Sequence, residues 1–135
     1  MYYSMKYPEK FCAVESMSGA LFNEAYFDKL NASNLSDDEK MVYNIFGTSE
    51  YYKERCPSYY LRIHEKGFYN IPMRIVEGAN DFLYYDNHLF HEELRQKDLY
   101  HSFVIRKGEH TWDFWKEELP YLMTFFYEVF YAELL

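Results

Sequence analysis

Three short apolar runs, each closed by a loop that contains glycine, constrain this chain more than any other feature. They cover residues 11–17, 73–76 and 101–106, and end at Ser18-Gly19, at Glu77-Gly78-Ala79-Asn80-Asp81 and at Lys107-Gly108-Glu109-His110. Short runs of this kind, bounded by turn signals, are the pattern of strands buried in a parallel sheet. Glu15 is the odd residue in the first run. Helical periodicity follows the second and third runs. Phe90 and Leu94 sit one helical turn apart within 86–97, and Trp115, Leu119, Leu122, Phe126 and Val129 mark one buried face of 112–134, a helix bent or restarted at Pro120. Strand, helices, strand, helix, strand, helix implies right-handed crossovers and a parallel sheet. The expected fold class is therefore α/β, with about three parallel strands and helices on both faces. Three strands make a thin sheet, so further strands are expected beside it.

The segment between the first two runs has a different character. Residues 20–70 read as a helical insertion, broken into short pieces by Gly47, Pro57 and Gly67. Ser36 and Glu39 have capping-box spacing ahead of Met41, Val42 and Ile45. Residues 1–7 read as the end of a helix, punctuated by Pro8-Glu9-Lys10. No linker composition or repeat separates these parts, and 135 residues suit one domain.

Composition narrows the function classes. Lys plus Arg number 14 against 22 Asp plus Glu, a net charge of −8, which argues against a nucleic-acid backbone as partner. Aromatic residues make up 22% and most are Tyr, which suits a wet-edged pocket or interface. The two cysteines, Cys12 and Cys56, form no CxxC pair, so a structural zinc site is disfavoured. Residues 1–8 lack the pattern of a signal peptide, and the most apolar stretch, 121–135, is interrupted by Glu128 and Glu133 and falls short of the ~20 residues of a membrane span. A soluble, cytoplasmic protein with no membrane partner is expected.

In an open parallel sheet, ligands bind beyond the carboxyl ends of the strands. Asp81 falls there after the second strand and His110 after the third. On adjacent loops, the carboxylate can accept the ring N–H of His110, fix its tautomer and stabilise the imidazolium. Asp followed by His is the order that ends a Ser…Asp…His hydrolase triad. The plainer reading is that Asp81 caps a turn and His110 caps a helix. Ser16-Met17-Ser18-Gly19-Ala20 has the small-x-Ser-x-small outline of a nucleophile elbow, with Ser18 at its centre; such a serine also serves to end a strand and cap the next segment. His88 and His91, beside Glu92 and Glu93, lack a third convergent ligand and read as a solvated helix face, with His64 and His101 at the surface by default. Tyr51-Tyr52 and Tyr59-Tyr60 face either a substrate or the packing of the insertion.

Two of these loops resemble a known family. Gly78-Ala79-Asn80-Asp81-Phe82-Leu83-Tyr84-Tyr85-Asp86-Asn87 is similar to the acid loop of the tributyrin esterase and S-formylglutathione hydrolase branch of α/β-hydrolases. Gly108-Glu109-His110-Thr111-Trp112-Asp113-Phe114-Trp115 is similar to its histidine loop, although Glu109 replaces a small residue. Tyr7-Pro8-Glu9-Lys10-Phe11, with Ser16-Met17-Ser18-Gly19, resembles the segment after its nucleophile helix. The resemblance covers nearly the whole chain and implies the C-terminal half of such an esterase, a partial α/β-hydrolase. It implies that Asp81 is the acid and His110 the base, that the substrate is a short acyl ester, and that no metal or organic cofactor takes part. It places Ser18 one strand later than the elbow. The nucleophile and oxyanion hole are then expected upstream of Met1, and the chain alone is expected to be inactive. The alternative function is an assembly module that forms a homodimer, or pairs with a separate N-terminal half, through its open sheet edge.

Overall fold

The computed structural model describes residues 1–23, 26, 34–46, 49–63 and 71–133. Three parallel strands form one sheet in the order β1-β2-β3: β1 (Val14–Met17), β2 (Met73–Gly78) and β3 (Ser102–Arg106). The helices are α1 (Tyr2–Lys6), α2 (Asp37–Phe46), α3 (Ser49–Lys53), α4 (Pro57–Ile63), α5 (Tyr84–Gln96) and α6 (Trp112–Glu133), with a 3₁₀ turn at Pro8–Lys10. Thus α2, α3 and α4 lie in the connection between β1 and β2, while α5 and α6 follow β2 and β3. The first strand is shorter than the sequence suggests. Pairing starts with the Val14 N–H donating to the Pro72 carbonyl, and Phe11 is exposed. The second is longer: Glu77 and Gly78 belong to β2, whose residues are all buried.

Side chains alternate across a strand, so the sheet has two distinct faces. Met73 and Ile75 point into a core with Met5 of α1, Leu61 of α4, and Phe90 and Leu94 of α5. A second cluster joins Val42, Tyr52 and Cys56 of the insertion to Phe22 and to Leu83, ahead of α5. Ser36 and Glu39 do close α2 as a capping box. The Glu39 N–H donates to Ser36 Oγ at 3.3 Å, and the Ser36 N–H donates to Glu39 Oε2 at 2.7 Å. Cys12 and Cys56 are free thiols; Cys56 is buried, and its Sγ–H donates to the Phe22 carbonyl.

The opposite face explains Glu15. Glu15 and Arg74 are register partners, and the Arg74 Nη1 donates to Glu15 Oε2 at 3.1 Å and to the Tyr121 carbonyl of α6 at 2.9 Å. Glu118 of α6 lies 3.9 Å from Arg74 and bonds Arg106 of β3 at 2.9 Å. The side chains of Glu15, Arg74 and Glu118 are 1%, 7% and 3% exposed. Burial pushes the Glu15 carboxyl up, the Arg74 guanidinium pulls it down, and Glu118 adds a smaller upward push. This network pins α6 across β1, β2 and β3. The helix runs through Pro120 without ending, and its far half carries exposed Met123, Tyr127, Phe130 and Tyr131.

Removing Arg74 leaves the buried Glu15 carboxylate without its cation, while Glu118 keeps Arg106. Arg74→Ala is expected to cost about 3–5 kcal/mol of stability. Urea unfolding followed by far-ultraviolet circular dichroism measures this, and a loss below about 1 kcal/mol, the range of exposed ion pairs, would contradict the role given to the network.

Candidate active site

Two glycines bring the site together. A Cβ added at Gly78 would lie 2.7 Å from the Gly108 carbonyl oxygen, so the loops after β2 and β3 touch backbone to backbone only because that atom is missing. The Ala79 N–H donates to the Arg106 carbonyl at 2.8 Å, and the Asn80 N–H donates to the Gly108 carbonyl at 2.9 Å. These bonds continue the β2–β3 ladder into the loops and leave Asp81 and His110 side by side.

Asp81 sits in a turn closed by its own N–H to the Gly78 carbonyl at 3.0 Å. Its Oδ1 accepts the Leu83 N–H at 2.9 Å, so it does cap a turn. The same carboxylate meets His110. Nδ1 lies 3.0 Å from Oδ2 and 3.2 Å from Oδ1. A carboxylate only accepts, so Nδ1 carries the proton and Nε2 is left with its lone pair. Phe82 and Trp115 hold the ring from its sides, with centroids at 4.7 and 4.9 Å. The Asp81 side chain is fully buried and that of His110 is 30% exposed. His110 does not itself cap α6: Thr111 Oγ1 accepts the Phe114 N–H there.

Ser18 lies at the end of β1, where its N–H donates to the Val76 carbonyl at 2.9 Å. Its φ of 48° lies in the left-handed region, which a non-glycine residue seldom adopts. It is buried, and its Oγ has no hydrogen-bond partner among the described residues. A groove of about 400 Å³, almost entirely apolar, runs past Met17, Ser18, His110, Trp112, Trp115 and Leu119. Ser18 and His110 therefore border one groove without bonding to each other. Residues 19–23, directly after Ser18, do not form a helix.

His91 and His101 depart from the surface reading. His101 Nδ1 donates to the Leu99 carbonyl at 2.7 Å, so its Nε2 accepts from His91 Nδ1, also at 2.7 Å. The His91 ring stacks on Phe103. Their partial burial follows from the apolar surface of β3, which the spacing along α5 alone does not reveal. No group of three or more potential metal ligands occurs among the described residues. His64 lies outside the described residues. Tyr52 is buried and donates to the Ala20 carbonyl at 3.1 Å, so it serves packing, while Tyr51 is exposed. Sequence reasoning also missed Glu77. It reads as the start of a polar loop, yet it is fully buried and its carboxyl is pushed up to about 9, first by burial and then by the Asp81 carboxylate.

No family model and no curated protein sequence matches the chain. Solved structures do. A ferulic acid esterase superposes with a TM-score of 0.71 at 19% identity, over 95% of this chain and 45% of that one. The S-formylglutathione hydrolase of Staphylococcus aureus gives 0.68 at 22% identity, over 92% of this chain and 48% of its own. The fold is that of an α/β-hydrolase. A fluorophosphonate-binding serine hydrolase of the same organism, solved with substrate bound, gives 0.64 at 21% identity over 92% and 48% of the two chains. The chain spans about half the length of these α/β-hydrolases. No helix among the described residues is long and apolar enough to cross a membrane.

The geometry makes a specific demand on His110. Free neutral histidine favours the proton on Nε2, whereas the bond to Asp81 requires it on Nδ1. Nitrogen-15 spectra of the imidazoles, recorded where His110 is neutral, are expected to show the Nδ1–H form, and Asp81→Ala is expected to shift it towards Nε2–H. An unchanged spectrum in that variant would show that Asp81 does not orient the ring.

Proposed function

We propose that this chain supplies the acid–base half of a serine carboxylesterase acting on short acyl esters. A single observation carries the reading: an Asp81 carboxylate holds the Nδ1 side of His110, on adjacent loops at the carboxyl ends of two parallel strands. The free Nε2 is then placed to take the proton of an attacking serine hydroxyl. It returns that proton to the leaving alcohol or thiol, while Asp81 stabilises the imidazolium between the two steps. No metal or organic cofactor is needed for this chemistry. The names of the structural neighbours, an esterase and two hydrolases, agree with the class.

In this reading the nucleophile comes from outside the 135 residues. Ser18 ends β1 without bonding His110, and its N–H is spent on the Val76 carbonyl. An elbow serine sits between a strand and a helix that begins at once, and residues 19–23 form none. The missing elbow and oxyanion hole belong to strands that continue the sheet beyond β1, which pairs with β2 alone among the described residues.

A specific observation favours the assembly reading as part of the same picture. The free edge of β1 lies at one side of the sheet, and α6 presents exposed Leu119, Met123, Tyr127 and Phe130. Bare edges and apolar patches recruit partners. The occupant that fits both is an N-terminal hydrolase half carrying the nucleophile. The isolated chain, lacking it, is expected to self-associate.

The isolated chain is expected to hydrolyse p-nitrophenyl butyrate no faster than its Ser18→Ala variant, because loss of a nucleophile alone costs on the order of 10⁶ in rate in a measured serine protease. Robust turnover that disappears on Ser18→Ala would overturn the reading. Light scattering that finds a clean monomer at high concentration would contradict the open-edge part of it.

A further inference from the structure

Glu77 is the buried titratable group that the acid–base scheme leaves unused. It is fully buried near the carboxyl end of β2, and neither carboxyl oxygen has a hydrogen-bond partner among the described residues. A carboxylate in that place gives up its hydration for nothing, so the group keeps its proton and becomes an O–H donor in need of an acceptor. Asp81 is four positions further on, in the turn that folds back through the Asp81 N–H to the Gly78 carbonyl. The Asp81 side chain is equally buried. Its Oδ1 already takes two donors, Leu83 N–H and His110, while Oδ2 takes His110 alone. A charged acceptor with a vacant lone pair is the strongest one a carboxylic acid can meet.

We propose that Glu77 is a positioning residue for the Asp81–His110 pair: its carboxylic O–H donates to the Asp81 carboxylate and holds it in the orientation that receives His110 Nδ1. The proposal rests on Asp81 and His110 acting as the acid–base pair. The groups that face Glu77 are consistent with it. Burial first, then the Asp81 carboxylate as a charge and as an acceptor for the Glu77 proton, and last Asp86 of α5, push its carboxyl up to about 9. On its other side Asp81 faces His110, whose Nδ1 lies 3.0 Å from Oδ2. Ser18 Oγ and Asn87 Oδ1 are also without partners among the described residues, and both are buried at this end of the sheet. They are neutral acceptors and weaker competitors for the Glu77 proton. The arrangement gives Asp81 three donors in fixed directions, so the imidazole it orients is fixed in turn.

Carbon-13 spectra of labelled glutamate carboxyls test this without any turnover. In the wild type, Glu77 is expected to hold its proton through neutral pH and to lose it near pH 9. Asp81→Asn removes the facing charge and is expected to bring that midpoint down. In Glu77→Gln the amide N–H still donates to Asp81, so the Nδ1–H form of His110 is expected to persist. In Glu77→Leu, which fills the site but donates nothing, that form is expected to decline. An ionised Glu77 at neutral pH, or a midpoint indifferent to Asp81→Asn, would overturn the proposal. So would a folded Glu77→Leu variant with an unchanged His110 spectrum. If Glu77→Leu does not fold, the Asp81→Asn titration decides alone. A wild-type His110 that carries its proton on Nε2 would instead refute the acid–base pair itself, an outcome separate from the Glu77 titration.

Discussion

The site depends on a contact between two backbones. Gly78 and Gly108 bring the loops after β2 and β3 within a distance that any side chain at Gly78 would forbid, because its Cβ would meet the Gly108 carbonyl at 2.7 Å. Two loop hydrogen bonds then extend the strand pairing beyond the sheet. Everything chemical depends on that approach. Asp81 turns back over Gly78, His110 leads into α6, and the carboxylate and the imidazole meet with the ring wedged between Phe82 and Trp115. Packing sets the ring's position, and the carboxylate sets its tautomer.

A second constraint lies under the first. The sheet face that carries α6 is held by charge rather than by apolar contact alone, through Glu15, Arg74 and Glu118. Buried ions of this kind add little net stability but penalise any arrangement that leaves one of them alone. They fix α6 against all three strands, and α6 begins two residues after His110. The position of His110 is therefore tied to β1 as well as to β3. The far half of α6 extends past this network with Met123, Tyr127, Phe130 and Tyr131 exposed, and β1 is an edge strand that pairs with β2 alone among the described residues.

Much of this was legible in the sequence where it came from periodicity and turn chemistry. The three apolar runs became three parallel strands, the Ser36–Glu39 spacing became a cap, and Asp81 and His110 fell on adjacent loops because β2 and β3 are neighbouring parallel strands. The polar residues inside the apolar pattern were harder to read. Glu15 is explained only by Arg74, 59 positions away, and Glu77 reads as the start of a loop because a charged residue before glycine normally marks one. The bond between His91 and His101 depends on how α5 lies against β3, a tertiary relation with no local signal. Ser18 shows the limit in the other direction. Its surroundings in sequence copy an elbow and its φ is strained like one, yet its N–H is committed to β2 and residues 19–23 are not helical.

The central claim is that the acid and base are assembled here while the nucleophile lies elsewhere. Fluorophosphonate labelling of the purified chain, read by intact mass beside the Ser18→Ala variant, tests it most directly. No adduct on either protein is the predicted result. An adduct on the wild type that Ser18→Ala abolishes would contradict the account, since β1 would then end in a working elbow and the chain would be a compact hydrolase in its own right.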